Sequence, residues 1–323
     1  MIKRLLLGFI FFVRYATVKK VINLLYVEYE RKFQKKISNG RPYFFKIQPT
    51  NKCDSGCIYC LKERLDIPLG TMSLQNFKKI VDSVKDYAYM IALHYSGEPL
   101  LHNDIYEMVA YVHTQGIATY ISTNLQHLKN CDAERMIMSG LDLLTVAIDG
   151  ITDETYLSHR QGGDITNVIN NIKLLVETKK KLKQLYPVIN LQFLVTSNNE
   201  HEVLAFKTLA KDLGVDMFDL KPVGTYDKKL LPKNPCYLRK VYREKKIRKK
   251  ACWWLWGANV ILWNGDIIPC CMLSSNEYHV HTSYKDFISL RNTSLLQKLR
   301  NTTSHDICAQ CLIPYGNVFN QTV

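Results

Sequence analysis

Residues 53–60 read CDSGCIYC and follow the strand-like run Tyr43–Gln48. Their spacing, C-x3-C-x2-C, supplies three thiolates close in sequence and no fourth. Three thiolates can bind three irons of a [4Fe–4S] cluster and leave the fourth iron open, whereas a structural zinc site is closed by four ligands. The segment therefore predicts an open iron–sulfur site on Cys53, Cys57 and Cys60. Zinc with a distant fourth ligand is the alternative, since the chain also has 9 histidines.

Strand-like runs alternate with amphipathic segments over the first two thirds of the chain. The strand-like runs are Tyr43–Gln48, Met90–Tyr95, Ile117–Ser122, Leu143–Ile148, Val188–Val195 and Val215–Leu220. Helix-like segments lie between them, near 73–88, 103–115, 130–139, 165–184 and 199–213. This alternation indicates βαβ units, so we predict an α/β fold built on a partial (β/α)6 TIM-like barrel. The cysteine loop would lie at the carboxyl end of the sheet, where sites form.

The alternation stops after Leu220, and prolines and a basic run follow. Half of the 10 cysteines come after residue 251. We therefore predict four regions: a basic amphipathic N-terminal helix region at 1–40, the barrel at 41–222, a basic linker at 223–250, and a small cysteine-rich domain at 251–323.

The net charge of +14 is concentrated in two patches. Residues 1–39 carry nine Lys or Arg against Glu28 and Glu30, and residues 239–250 carry eight against Glu244. Because the rest of the chain is balanced, the charge favours two local contacts with acidic partners over a general nucleic-acid surface.

The N-terminal segment has two interpretations. Its apolar run, Leu5–Val13, is too short to span a bilayer, and residues 15–37 continue in helical period with basic residues nearby. A basic amphipathic helix can lie on an anionic membrane. The alternative is a helix packed on the domain with its charges solvated.

A second cysteine group lies near the C-terminus. Cys252 and Cys270 stand in C-x12-G-x4-C around Gly265, and Cys308 and Cys311 form a C-x2-C pair. Four thiolates can close a [4Fe–4S] cluster completely, although a four-cysteine zinc ribbon has compatible spacing. The segment between the first two, with Asn-Gly at 264–265, predicts a hairpin that returns Cys270 towards Cys252.

The first cysteine motif resembles that of the radical S-adenosylmethionine (SAM) superfamily. In that family a C-x3-C-x2-C loop follows the first strand of a partial barrel, and an aromatic residue, here Tyr59, commonly precedes the last cysteine. The resemblance implies that SAM binds the open iron through its amino and carboxylate groups. It also implies that one electron cleaves SAM to methionine and a 5′-deoxyadenosyl radical, which abstracts hydrogen from a substrate.

Further stretches resemble the family in order along the chain. Residues 96–99 (SGEP) resemble a GGEP stretch near the SAM amino group, 122–124 (STN) end a strand near the SAM ribose, and 156–163 (YLSHRQGG) resemble Y-x-x-x-R-x-G-G. Leu125 and Ala147 depart from the Gly and Ser of relatives. The resemblance implies that Arg160 pairs with the SAM carboxylate. The SAM contacts that it implies are Tyr59, Gly97, Glu98, Pro99, Ser122, Asn124 and Arg160.

The C-terminal pattern resembles the SPASM/twitch extension of the same superfamily. No cysteine follows Cys311, so the shorter twitch form with one auxiliary [4Fe–4S] cluster is expected, on Cys252, Cys270, Cys308 and Cys311. Such a closed cluster has no iron for substrate but can accept an electron. The resemblance also implies a flavodoxin- or ferredoxin-type electron donor.

These features predict a radical SAM oxidoreductase that oxidises an alcohol or amine of a sugar-like, phosphorylated or lipid-linked small molecule. The catalytic proton acceptor is not identified; Asp149, Gln192 and His159 are candidates by position. One alternative is a peptide- or protein-modifying radical SAM enzyme, such as a sulfatase-maturase-like enzyme or a maturase of ribosomal peptides. Another is a non-catalytic metal-binding scaffold. A nucleic-acid partner is not favoured, and the expected location is a reducing cytoplasm, with peripheral membrane contact through residues 1–39.

Overall fold

The structure is a computed structural model that describes residues 2–60, 67–128, 130–224, 227–238, 252–268, 270 and 291–301. Its main feature is an eight-stranded sheet in the order β10-β9-β1-β3-β4-β5-β7-β8, beside a small ribbon of β2 and β6. The strands are β1 (Phe44–Ile47), β2 (Gly56–Cys57), β3 (Met90–Ala92), β4 (Ala118–Thr123), β5 (Leu143–Ala147), β6 (Arg160–Gln161), β7 (Val188–Val195), β8 (Met217–Pro222), β9 (Ala258–Ile261) and β10 (Ile267–Ile268).

Helices connect the parallel strands, as the sequence predicts. They are α1 (Ile2–Tyr15), α2 (Val18–Lys32), α3 (Leu74–Val84), α4 (Ile105–Thr114), α5 (Asn130–Met138), α6 (Asp153–His159), α7 (Ile165–Lys181), α8 (Val203–Asp212), α9 (Trp254–Gly257) and α10 (Ser294–Asn301). The six predicted barrel strands are all present and pair in parallel, from β1 through β3, β4, β5 and β7 to β8. The mixed α/β class with a mostly parallel sheet is therefore confirmed.

Each face of the sheet carries its own hydrophobic cluster. On the outer face, Phe45 and Ile47 of β1 pack with the apolar sides of the connecting helices. On the inner face, Phe44 and Met90 pack with α9 and the β9–β10 hairpin. Burial on both faces explains why these strands read as continuous apolar runs.

The predicted C-terminal hairpin joins the same sheet. β9 pairs antiparallel with β10 and parallel with β1, so that Ala258 lies beside Phe44 and Ile261 beside Ile47. Gly265 takes a φ of +93° at the turn, a conformation that glycine adopts at no steric cost. The strand that leads to the first cysteine loop is thus flanked by the C-terminal segment. The predicted boundary at 223–250 stays a prediction, since 239–250 lie outside the described residues.

The N-terminal helices lie across the amino ends of the strands. The Tyr15 hydroxyl donates to Asp142 Oδ1 at 2.7 Å, just before β5, and Lys20 Nζ donates to Gly116 O at 2.6 Å, just before β4. Lys20 is 2% exposed, and burial lowers its pKa to about 8. The packed interpretation expected the charges of this helix to be solvated, and for Lys20 that expectation is wrong. Among the described residues, no helix is long and apolar enough to cross a membrane.

Candidate metal and cofactor site

The first cysteine loop is fixed at its base by side-chain hydrogen bonds to neighbouring backbone. Asn51 Nδ2 donates to Pro68 O at 2.9 Å, and Asn51 Oδ1 accepts from Gly70 N at 2.8 Å. Gln48 Nε2 donates to Ser96 Oγ at 2.7 Å. Two buried amides therefore tie the end of β1 to the segment before α3 and to the loop after β3, so the loop begins from a defined position.

The loop itself pairs with the segment that carries Arg160. Gly56 and Cys57 form β2, and Cys57 is opposite Arg160 in the antiparallel ribbon with β6. Cys53 and Cys57 are half-buried, and Cys60 is exposed. In the parts of the chain that the structure describes, no three His, Cys, Asp or Glu side chains are grouped closely enough to hold a metal ion. The ligand set Cys53, Cys57 and Cys60 therefore stays a prediction, which rests on the donor chemistry of the loop.

A buried charge cluster lies directly beneath the loop. Asp149 Oδ2 accepts hydrogen bonds from Arg160 Nε at 2.8 Å, from Arg160 Nη2 at 2.6 Å and from the Tyr59 hydroxyl at a short distance. Its other oxygen accepts from Leu194 N at 2.8 Å, at the end of β7. Asp149 is fully buried. This cluster connects the cysteine loop, β6 and β7 around one carboxylate.

The charges of this cluster act on the ionisation of its members. Burial and the carboxylate of Asp149 raise the pKa of Tyr59 well above its usual value. Burial opposes the charge of Arg160, but the negative groups around it, Asp149 foremost, together outweigh burial and raise the Arg160 pKa. Burial raises the pKa of Cys53 to about 11 and also raises that of Cys57, which the guanidinium of Arg160 partly offsets. Thiolates at these positions need a bound cation, and iron would supply that charge.

Arg160 is oriented towards protein groups. Beyond its two bonds to Asp149, its Nη1 lies 3.8 Å from Cys57 Sγ. A guanidinium so placed can donate to a thiolate ligand and fix its direction. The expected pairing of Arg160 with the SAM carboxylate stays a prediction.

The loop after β3 makes a close backbone approach to the cysteine loop. Gly97 has a φ of +91°, and a Cβ at this position would lie 2.4 Å from Thr50 O and 2.7 Å from Asn51 Cα. Glu98 N donates to Lys52 O at 2.8 Å in the same contact. Glycine is therefore required here by conformation and by space. Pro99 opens the short 3₁₀ turn that follows, Pro99–Leu101.

We expect Gly97→Ala to lower the free energy of unfolding by more than about 1 kcal/mol. Backbone strain alone costs about 1–3 kcal/mol, and the added Cβ also clashes with main-chain atoms. Gly265→Ala is the matched control, since Gly265 has a φ of +93° and nothing within 4 Å of an added Cβ. Urea unfolding of both variants measures the difference. Equal losses in the two variants would contradict the close approach at Gly97.

Glu98 has a structural role in the described structure. Its carboxylate accepts from Thr123 Oγ1 at 2.6 Å, from Asn124 N at 2.8 Å and from Leu100 N at 3.0 Å, and it is 3% exposed. Burial raises its pKa, while these hydrogen bonds oppose the rise. The Glu98 side chain thus holds the ends of β3 and β4 together. A contact of this side chain with SAM stays a prediction.

The end of β4 contacts the cysteine loop directly. Asn124 Nδ2 donates to Asp54 Oδ1 at 2.8 Å and to Ser55 Oγ at 3.0 Å, between two of the cysteines. Ser122 N donates to His94 Nδ1 at 3.1 Å. Leu125 has a φ of +56°, a left-handed conformation that glycine adopts at no steric cost. This chain instead has a strained leucine at the position. Asn124, which the resemblance singled out, thus lies beside the loop, while the expected contacts of Ser122 and Asn124 with SAM stay predictions.

Only part of the second cysteine group lies within the described structure. Cys252 and Cys270 are half-buried and pack against the inner-face cluster. Cys252 precedes β9 and Cys270 follows β10, so both lie towards the amino end of β1, opposite to the Cys53 loop. Cys308 and Cys311 lie outside the described residues, so the four-cysteine set stays a prediction.

The three candidate proton acceptors have different surroundings. His159 is fully buried, with Nε2 2.7 Å from Thr196 Oγ1 and Nδ1 2.9 Å from Thr155 O. Asp149 is engaged by Arg160 and Tyr59. Gln192 is half-buried on β7, where its register partners are Ala147 and Asp219. His159 thus uses both ring nitrogens within the protein, which leaves Gln192 the most accessible of the three.

The inner face of the sheet carries Ser122 and Gln192, which sequence analysis named, together with other polar residues that it missed. Register partners share a face, so the pairs Lys46–Ala92, Ala92–Tyr120, Ser122–Thr145, Thr145–Asn190 and Gln192–Asp219 extend one face across the sheet. The His94 ring lies 4.6 Å from the Tyr120 ring, centre to centre. Below these residues, Phe44, Met90 and Leu143 belong to the inner apolar cluster. In the sequence, polar residues alternate with apolar ones along these strands, and this alternation could have revealed the polar face. The positions concerned are Lys46, Asn190, Asp219 and Lys221.

Two family profiles match the chain. The profile of the radical SAM superfamily matches residues 47–206, and that of an iron–sulfur cluster-binding domain, SPASM, matches residues 252–312. The tungsten-containing aldehyde ferredoxin oxidoreductase cofactor-modifying protein of Pyrococcus furiosus is 24% identical over 294 residues, which cover 82% of this chain and 80% of that protein.

Solved structures with similar folds include two proteins with bound ligands. Streptococcus suis SuiB bound to precursor peptide SuiA has a TM-score of 0.66 and 17% identity, and the match covers 84% of this chain and 69% of that one. BtrN in complex with AdoMet and 2-DOIA has a TM-score of 0.53 and 14% identity, with 87% and 97% covered. At these identities the similarity establishes the fold alone.

Proposed function

Because this chain belongs to the radical SAM superfamily and carries a SPASM domain, we propose that Cys53, Cys57 and Cys60 hold its SAM-cleaving cluster and that it oxidises an anionic small molecule. The two domains bind SAM, a [4Fe–4S] cluster and an auxiliary iron–sulfur cluster. When bound, the first cluster and SAM supply one-electron cleavage of SAM and abstraction of a hydrogen atom from the substrate.

The chain's own residues would hold the loop in place for this chemistry. Asp149 connects the loop to β6 and β7 through Tyr59 and Arg160, and Asn124 fixes the loop between its first two cysteines. The close approach at Gly97 presents backbone beside the loop, where a ligand can contact it. This arrangement is pre-organised, since all these groups are hydrogen-bonded within the protein.

One observation carries the proposed substrate class: the polar inner face lies between the two cysteine sites and has two lysines. Burial lowers the pKa of His94 well below its usual value, and the charges of Lys46 and Lys221 lower it further, so His94 is neutral at physiological pH. Lys46, Lys221 and the carboxylate of Asp219, which is 3% exposed, together carry a net positive charge. A phosphate or carboxylate on the substrate fits that charge.

Asn190 indicates a second feature of the substrate. Its Nδ2 donates to Asp219 Oδ2 at 2.8 Å and to Thr145 Oγ1 at 3.1 Å, and it is 2% exposed. No hydrogen-bond donor among the described residues reaches its Oδ1. A buried acceptor without a donor is costly, and a substrate hydroxyl or amine would satisfy it. An anionic molecule that also bears an alcohol or amine therefore suits this face.

The oxidation itself balances with two clusters. SAM, when bound, would supply the acceptor for the hydrogen atom on the carbon that bears the hydroxyl or amine. Loss of that group's proton to solvent and of one electron would then leave a carbonyl or imine, and the auxiliary cluster, when bound, would supply the acceptor for that electron. The inner face lies between the Cys53 loop at the carboxyl end of β1 and Cys252 and Cys270 towards its amino end, which suits such a route.

Peptide modification is the second candidate, because the similar structure of SuiB holds a precursor peptide. Deuterium transfer from substrate into 5′-deoxyadenosine distinguishes the two. Anaerobically reconstituted enzyme with SAM and dithionite would be given deuterated amino sugars and polyols with and without a phosphate, and separately a set of peptides. We expect transfer from the phosphorylated small molecules. Transfer from peptides alone would contradict the proposed substrate class without affecting SAM cleavage.

We expect Lys46→Gln and Lys221→Gln each to raise KM for the accepted substrate roughly 10–100-fold, since each removes a charge-assisted contact. SAM cleavage without substrate should stay unchanged, because neither residue is among the predicted cluster ligands or SAM contacts. Lys211→Gln, an exposed lysine on α8, is the control. Steady-state kinetics on both reactions make the measurement. An unchanged KM in both lysine variants would remove the inner face from substrate recognition.

A further inference from the structure

The first N-terminal helix has an exposed apolar stripe that does not pack in the protein core. On α1 the exposed fractions are 56% for Leu6, 63% for Phe9, 39% for Ile10 and 58% for Val13. These positions follow the i, i+3, i+4, i+7 pattern of one helix face. The opposite face holds Phe11, which is 4% exposed and packs in the inner cluster. The helix is thus apolar on two sides, and only one side is buried.

The second helix repeats this arrangement. The buried face of α2 holds Lys20, Val27 and Glu30. On the other side, a run of apolar side chains at helical spacing is exposed to solvent. Its members, with their exposed fractions, are Val18 75%, Ile22 62%, Leu25 65%, Tyr26 43%, Tyr29 48% and, just after the helix, Phe33 59%. We call these residues and the exposed residues of α1 the N-terminal apolar surface.

Both helices present this surface on the same side of the molecule. The Phe12 ring of α1 stacks on Tyr89 at 5.2 Å, and Lys20 Nζ of α2 lies 5.8 Å from the centre of the same ring. Tyr89 directly precedes β3, at the amino end of the sheet. Because both buried faces pack on this end, both exposed faces point away from it.

Basic side chains border the apolar surface. Lys19 has 77% of its side chain exposed, and its Nζ lies 3.5 Å from Asp86 Oδ2. Lys32, Lys35 and Lys36 are exposed at the end of α2. Lys32 Nζ lies 5.9 Å from the Phe33 ring centre, and Lys35 Nζ lies 5.9 Å from that of Tyr29. The acidic groups of α2 are both engaged: Glu28 binds Arg31 and the Tyr43 hydroxyl, and Glu30 accepts from Ser38 Oγ and backbone amides.

A groove at the end of α2 combines these features. It has a volume of about 650 Å³, and Leu25, Tyr29, Lys32 and Phe33 are among its lining residues. An apolar floor beside exposed lysines suits an amphiphile with an anionic head and acyl chains.

We propose that the N-terminal apolar surface docks this protein on a bilayer that contains anionic phospholipid. The apolar and aromatic side chains enter the boundary between headgroups and acyl chains, and the lysines contact the headgroup charge. The helices lie flat on the membrane, with the sheet on their other side. Each helix has a long apolar stripe, and lysines are in excess along its border. An anionic bilayer matches both features, whereas a neutral protein surface would match the apolar stripe alone.

Flotation of the reconstituted holoprotein with lipid vesicles tests this proposal. The probes are vesicles of phosphatidylcholine alone and of phosphatidylcholine mixed with phosphatidylglycerol. We expect binding to the mixed vesicles and little to the neutral ones. The double variant Ile22→Glu/Leu25→Glu should bind the mixed vesicles at least about 100-fold more weakly, at roughly tenfold for each apolar side chain lost.

Two further variants separate apolar insertion from charge. Lys32→Gln/Lys35→Gln should reduce the preference for phosphatidylglycerol by about fivefold for each charge removed. Leu185→Glu/Leu204→Glu is the matched control, because these leucines are 80% and 75% exposed outside α1 and α2. Iron content and SAM cleavage should be normal in every variant, which shows that each one folds.

Three results would overturn the proposal. One is wild-type protein that fails to float with the mixed vesicles. Another is Ile22→Glu/Leu25→Glu binding as tightly as the control variant. The third is self-association of the wild-type protein that the same double substitution abolishes, without vesicle binding, since a second copy of the chain would then cover the surface.

Discussion

Replacement of Cys57 by alanine is expected to abolish formation of 5′-deoxyadenosine from SAM and dithionite. It is also expected to lower the iron content from about eight to about four per chain, because one cluster loses a ligand while the auxiliary cluster keeps its own. Cys57 is central to the loop, since it pairs with Arg160 in the β2–β6 ribbon and its Sγ lies 3.8 Å from Arg160 Nη1. Anaerobic reconstitution followed by iron analysis and chromatography of the products measures both effects.

Two cysteines outside the motifs provide controls for this substitution. Cys131 on α5 and Cys236 are both exposed, and neither lies near the loop in sequence. Cys131→Ala and Cys236→Ala should retain full iron content and full SAM cleavage. The assignment of the cluster to this loop is wrong if Cys57→Ala behaves as these controls do.

Breaking the buried charge pair under the loop should have the largest effect on stability. Asp149→Ala leaves the buried Arg160 guanidinium without its carboxylate, and we expect the free energy of unfolding to fall by about 3–5 kcal/mol. Arg160→Ala should cost a similar amount because Asp149 is then buried without its cation. The double variant should lose less than the sum of the two, since no unpaired charge remains. Denaturant unfolding of all three proteins gives these values.

An exposed pair supplies the comparison. Asp82 and Lys85 are bridged at 3.0 Å but retain 46% and 43% side-chain exposure. Asp82→Ala should therefore cost at most about 1 kcal/mol. The single Asp149 and Arg160 variants should also lose SAM cleavage, since the loop loses its anchor. The pair does not position the loop if the stability losses of the two single variants add up to that of the double variant and SAM cleavage stays intact.

The strands of the barrel were predictable because they are buried on both faces. Runs such as Leu143–Ile148 and Val188–Val195 have few polar residues, and the structure has β5 and β7 within them. The hairpin at Asn264–Gly265 was also predictable, since this dipeptide favours a tight turn. Local sequence carries this information, so the α/β class did not require tertiary contacts.

The rest of the site depends on contacts between residues far apart in sequence. The β2–β6 ribbon has two residues on each side, too few for any periodic signal. The meeting of Tyr59, Asp149 and Arg160 needs the sheet order, which no local pattern specifies. The same holds for β9 beside β1, and for Lys20, whose burial comes from packing on the sheet. The resemblance named Asn124 and Glu98 as SAM contacts, which stay predictions, but it gave no sign of their hydrogen bonds to Asp54 and Thr123.

The central claim is that the loop of Cys53, Cys57 and Cys60 leaves one iron open for SAM. Electron–nuclear double resonance on the reduced protein, with SAM labelled by ¹⁷O in its carboxylate and ¹⁵N in its amino group, tests this claim most directly. The account predicts hyperfine coupling of both labels to the reduced cluster, and loss of both couplings in Cys57→Ala. Absence of coupling in the wild-type protein, or its persistence in the variant, would contradict the account.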